Sequence, residues 1–110
     1  METRVRIGKT ESLFRDVNER IAEASERFDA DEAEFMCECA DPSCAERLEV
    51  PLTEYESVRE DATTFLHKPE HFDPEVEEVV GRRRGYAIVQ KVDGVVAQIA
   101  RQLNPRAQSA

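Results

Sequence analysis

Phe14, Val17, Ile21, Ala24 and Phe28 recur at alternating spacings of three and four residues, which predicts a helix over residues 11–28 with these side chains on one face. Thr10 precedes it as a candidate N-cap. Glu11 with Arg15, Asp16 with Arg20, and Glu23 with Arg27 each place an acid four residues before a base, the orientation that supports a helix by about 0.2–0.5 kcal/mol per pair. Residues 1–10 carry no sustained period beyond Val5 and Ile7 and are expected as an N-terminal tail or a short edge strand.

Beyond the acidic connection at 29–34 the pattern shortens. Residues 35–39 alternate as a strand, Asp41-Pro42 turns the chain, and 47–52 returns as a second strand. Thr53-Glu54-Tyr55-Glu56 matches a capping box, so a short helix is expected over 54–60 with Tyr55 and Val58 inward and Arg59 in solvent. A strand at 63–67 leads into a proline-broken loop at 68–74. Runs at 77–80 and 86–92 flank Gly81-Arg82-Arg83-Arg84-Gly85 and predict a hairpin; a helix starting at Asp73-Pro74 is the alternative for the first run. Val96, Ile99 and Leu103 mark a closing helix over 93–103, and residues 104–110 are expected to fray. The fold class expected is therefore α+β: one domain over 11–103, with an N-terminal helix, short antiparallel hairpins, a short middle helix and a C-terminal helix.

Composition changes this picture in two ways. The chain has 110 residues, of which 40% are hydrophobic and 6% aromatic, with no Trp, a thin supply for a core of this size. Something besides apolar burial is expected to support the fold. Its charge of −9 is also uneven: residues 1–81 hold 9 basic and 23 acidic side chains, net −14, and residues 82–110 hold 6 basic and 1 acidic, net +5. The basic end can pair with the acidic body or face a separate anionic partner. No run approaches the roughly 20 apolar residues of a membrane span, and the charged opening lacks the apolar core of a secretory signal, so a cytoplasmic location without membrane contact is expected.

All three cysteines fall in Cys37-Glu38-Cys39-Ala40-Asp41-Pro42-Ser43-Cys44. An odd count at this density disfavours a disulfide framework, and closely spaced thiolates are preferred ligands for zinc. On a strand Cys37 and Cys39 share a face, and the turn through Asp41 and Pro42 can return Cys44 to them. A tetrahedral site needs a fourth donor. His71, in the irregular loop, is favoured over His67, which has the position of an ordinary strand residue. The other readings of the cluster are small buried hydrophobes or a thiol redox switch. A structural zinc in Cys37, Cys39, Cys44 and His71 would supply what the core lacks, since such ions contribute about 10 kcal/mol or more in small peptides.

The segments around this cluster extend the pattern. Phe35-x-Cys37-Glu38-Cys39-x4-Cys44, then Leu52-Thr53-x-Tyr55-Glu56-x2-Arg59, a loop ending at His71, and Tyr86-x-Ile88-Val89-x-Lys91 together resemble a family of small uncharacterised bacterial proteins. Upstream Phe14-Arg15-x-Val17-Asn18-Glu19-Arg20-Ile21 fits the same family. The resemblance implies that Cys37, Cys39, Cys44 and His71 belong together, and implies no activity. The family's Pro-Gly-His loop reads Pro69-Glu70-His71 here. A SWIM-type zinc finger would need His where Glu46 stands.

Asn18, beside the apolar stripe, is expected as a structural anchor, with a hydrogen bond to a loop near the cysteines as the alternative. Arg82, Arg83 and Arg84 form the strongest basic feature, read as a solvated turn or as a contact for an acidic protein partner, with nucleic acid unlikely because only Tyr86 stands near to stack on bases. No phosphate-cradling glycine loop, nucleophile elbow or H-E-x-x-H helix is present, and four protein ligands leave no open position on zinc. The function expected is a zinc-stabilised module that binds another protein, with a redox-responsive regulator as the alternative. An enzyme using three thiolates and water, with Glu38, Asp41 or Glu46 as base, ranks behind both.

Overall fold

The computed structural model describes residues 2–106. Its elements run α1 (Glu2–Arg27), β1 (Glu32–Met36), β2 (Arg47–Pro51), α2 (Leu52–Arg59), β3 (Thr64–His67), a 3₁₀ turn (Pro69–His71), β4 (Glu77–Arg83), β5 (Tyr86–Lys91) and α3 (Gly94–Gln102). The α+β class is as expected from the pattern. β1 and β2 form an antiparallel hairpin, and the second sheet is antiparallel in the order β3-β5-β4.

The first helix differs from expectation in both length and face. It begins at Glu2, so most of the expected tail at 1–10 is helical, Met1 lying outside the described residues. Thr10 is inside the helix and cannot cap it. The buried stripe includes Gly8, Glu11, Ser12, Arg15, Asn18 and Ala22. Phe14 is buried beside it, but Val17 is exposed and Phe28, past the helix end, is 84% exposed. Helix periodicity survives, yet it is carried by small and polar residues that a hydrophobic pattern does not register. Gly8 is there because α3 crosses closely: a Cβ at that position would lie 2.8 Å from Ile99 Cγ2. Arg4 fastens the same crossing through Asp93, at 2.5 Å. After Arg27 the chain reverses with Asp29 at φ 54, a left-handed conformation that Asp tolerates better than most residues, while Ala30 N–H donates to Ser25 O.

The β1–β2 hairpin turns Phe35, Leu48 and Val50 inward, where they join Tyr55 and Val58 of α2 and Ala22 of α1. Phe35 and Tyr55 stack with ring centroids 4.4 Å apart and planes at 2°. The start of α2 corrects the expected capping box. Pro51 occupies the cap position without a side-chain bond, and Thr53 is exposed.

In the second sheet the expected five-residue connection is shorter. β4 continues through Arg83, with a bulge between Val79 and Gly81, and only Arg84 and Gly85 turn the chain. Gly85 takes φ +86, a conformation that strains other residues. No helix runs from Pro74 to Val80. α3 fits its expected span and is capped by Asp93, whose Oδ1 accepts from the amides of Val95 and Val96. Val96, Ala97 and Ala100 are buried under it, but Leu103 is largely exposed. Asn104 to Arg106 do not fray: Arg106 donates to both Glu19 and Glu56. The remaining four residues, 107–110, lie outside the described ones.

Candidate metal centre

Cys37 follows directly on β1, and its N–H still reaches Glu46 O at 3.0 Å, so the hairpin gains one rung beyond Met36. At Glu38 the chain changes sheets. Its N–H donates to Leu66 O at 2.7 Å, and Lys68 N–H donates to Cys37 Sγ at 3.2 Å. This extended crossing fixes Cys37, Glu38 and Cys39 in alternation, thiol, carboxylate, thiol. Asp41 then forms a tight turn, its carboxylate accepting from the Ser43 amide and hydroxyl while its carbonyl accepts from Cys44 N–H, which returns Cys44 to the thiol side. The 3₁₀ turn after β3 supplies His71 from the far side.

These four side chains are close enough to hold one metal ion: their donor atoms all lie within 4.8 Å of one another. His71 Nδ1 is 3.3 Å from Cys37 Sγ and 3.8 Å from Cys44 Sγ. Zn–S bonds of about 2.3 Å and Zn–N bonds of about 2.0–2.1 Å at tetrahedral angles separate sulfur and nitrogen by about 3.6 Å. The measured values straddle that separation. The set is three soft thiolates and an imidazole, Cys37 and Cys39 buried and Cys44 partly exposed. Beside it a shallow depression is lined by Cys39, Ala40, Asp41, His71 and Asp73.

Electrostatics favour a cation at this point. The hydrogen bond from Cys37 holds the Cys39 thiol low, at about 5, against the effect of burial. Cys37, which gives that bond and is itself buried, is pushed up, and burial raises Cys44 as well. Three adjacent thiols therefore resist ionising together. A divalent ion removes that conflict, because each thiolate then faces a positive charge. The backbone contributes too: amides of Lys68, Asp41 and Glu46 point at the three sulfurs in turn and favour their anionic forms.

The reverse face of the crossing strand carries a polar network that the sequence only partly disclosed. Glu38 is fully buried, accepting from Arg59 Nη2 at 2.5 Å, from Leu66 N–H at 3.0 Å and from Asn18 Nδ2 at 2.6 Å. Asn18 also takes the Met36 N–H and donates to Met36 O, the structural anchor expected of it. Arg59 is the correction here. It lies buried at 5% exposure against Tyr55 and Phe65, not in solvent. With both oxygens engaged away from the thiols, Glu38 is not placed to act as a base at the metal. The available signal was its phase, since a carboxylate between two cysteines of a strand must face the opposite side.

His67 belongs to a different constellation. It is buried in β3, with Nδ1 3.2 Å from Glu77 and Nε2 3.9 Å from Glu11. Arg82 and Arg84 are exposed, whereas Arg83, also exposed, reaches back to Glu54 at 2.6 Å. Among the described residues no helix is long and apolar enough to cross a membrane. Comparison with protein-family models, with curated proteins and with solved structures finds no match to this chain.

Proposed function

We propose that this chain is a small zinc-binding module in which the ion is mainly structural, and that it acts by binding another protein. The observation that carries the metal reading is the convergence of Cys37, Cys39, Cys44 and His71 from two separate segments on one point. Thiolate-rich donors favour zinc over magnesium or calcium, and four protein donors complete its tetrahedral shell. Such an ion joins the hairpin to the second sheet and leaves no coordination position for substrate. The binding role is supported by the surface: Leu13 and Phe28 expose apolar area at the outer side and end of α1, and Arg82 and Arg84 are exposed. Metal analysis after dialysis, followed by chelation, tests the reading: one zinc per chain, with unfolding when it is removed, is the expected result.

One feature favours a redox-responsive role as the second reading. Cys44 is the partly exposed thiol, Cys37 and Cys39 being buried, so an oxidant reaches its sulfur first. A peroxide would take two electrons from two zinc-held thiolates, forming one disulfide, releasing the ion and leaving as water. Zinc release by mild peroxide at a rate matching that of exposed thiols supports this role; inert thiols in the folded protein remove it.

A further inference from the structure

Behind the metal loop, four ionisable side chains from four elements meet in the interior. Glu11 comes from α1, His67 from β3, Glu77 from β4 and Lys91 from β5, and none is more than 4% exposed. Lys91 Nζ bridges Glu11 Oε2, at 2.7 Å, and Glu77 Oε1. His67 sits between the same carboxylates, yet neither ring nitrogen has a hydrogen-bond partner of good geometry, and Glu11 Oε1 has none either. The fixed charges leave a decision to be made by one proton. With Lys91 charged and both carboxylates ionised, neutral His67 leaves the set at −1. One proton on His67 or on Glu11 brings it to zero, and low-dielectric surroundings penalise the uncompensated charge heavily.

We propose that Glu11, His67, Glu77 and Lys91 form a buried site for one shared proton, whose loss at mildly alkaline pH loosens the interior and the loop that follows His71. The groups facing it are these four and, across the Phe65 ring from Lys91, the guanidinium groups of Arg15 and Arg59. Arg59 is paired with Glu38, and Arg15, which donates to the carbonyls of Ala62 and Ala100, has Glu38 and Asp16 as its acidic neighbours, not Glu11 or Glu77. The path to the loop is short: Glu77 Oε2 accepts the Asp73 N–H at 3.0 Å, two residues after His71. Burial, opposed by Lys91 and His67, raises Glu11 to about 7, in line with a proton held near neutrality. Only the consequence for His71 rests on the metal reading above.

The test is denaturant unfolding of the zinc-saturated full chain from about pH 5 to pH 8.5, with the Glu11→Gln variant beside it. A raised acid loses stability as pH rises, so the ratio of the wild-type unfolding constant to that of Glu11→Gln should increase on the order of 100-fold across this range. Zinc-bound thiolates stabilise both proteins alike as pH rises and cancel in that ratio. The protection of the Asp73 amide, taken relative to its intrinsic base-catalysed exchange rate, should fall over the same interval. Should Glu11→Gln fail to fold, wild-type NMR decides: the Glu11 carboxyl carbon should titrate above pH ~6, well over the ordinary carboxylate range. A ratio that stays flat over this range, or no such titration, overturns the proposal. Cobalt binding to the thiols, measured separately at fixed pH, shows whether a failure lies with the metal reading instead.

Discussion

At the scale of single residues, the crossing strand Cys37-Glu38-Cys39 organises the molecule by alternation. Its thiols face the candidate metal and its carboxylate faces the core, where Arg59 and Asn18 hold it. Removing one partner of a buried ion pair leaves an uncompensated charge, so Glu38→Gln should destabilise the protein by about 3–5 kcal/mol in denaturant titrations. Replacing both Glu38 and Arg59 by Met should cost clearly less than the sum of the single changes, because no charge is then stranded. The cysteine set and His71 were legible because ligand chemistry restricts residue type and spacing. Asn18 was legible from its place beside an inward stripe. Arg59 was not: its charge assigned it to solvent although it stands one turn after inward Tyr55, and a buried carboxylate supplied by a distant segment drew it inward.

Elements show the same contrast between local and distant causes. The β4–β5 hairpin and α3 could be read from the chain because alternation, Gly85 and the Asp93 cap are local signals. α1 was read in the wrong rotation. Its buried side answers to α3 and to the polar interior, so Gly8, Ser12, Arg15 and Asn18 occupy positions where a pattern search looks for leucines. Gly8→Ala gives a direct check. Helix propensity alone would favour alanine by about 1 kcal/mol, but the new Cβ would meet Ile99 at 2.8 Å and force the helices apart. A net loss of about 1–2 kcal/mol is expected, and Ile99→Ala in the same chain should recover part of it, measured as a double-mutant cycle.

For the whole molecule, the uneven charge has a structural use. Basic residues from the last third turn back onto the acidic body: Arg83 meets Glu54, Lys91 meets Glu11 and Glu77, and Arg106 meets Glu19 and Glu56. These contacts tie residues 83–106 to the helix at the beginning and to α2, and Arg82, Arg84 and Arg101 are exposed on that basic end. They also set how the fold responds to acid. Burial alone would raise Glu77, but His67 and Lys91 hold it down to about 2. A carboxylate depressed in the folded state stabilises above its ordinary range near 4.5, and that stability is lost as pH falls from there toward 2. Acid unfolding should therefore be shallower in Glu77→Gln than in the wild type, although the variant starts from a lower stability at neutral pH.

The account's central claim is that one metal ion held by Cys37, Cys39, Cys44 and His71 completes this fold. Stoichiometric titration with cobalt(II), followed by displacement with zinc and by circular dichroism, addresses it most directly. The expected result is one cobalt per chain with the visible bands of a tetrahedral three-sulfur, one-nitrogen site, lost in His71→Ala or Cys39→Ser, and unfolding on chelation. A chain that binds substantially less than one ion and keeps the same fold and stability in chelator would contradict it.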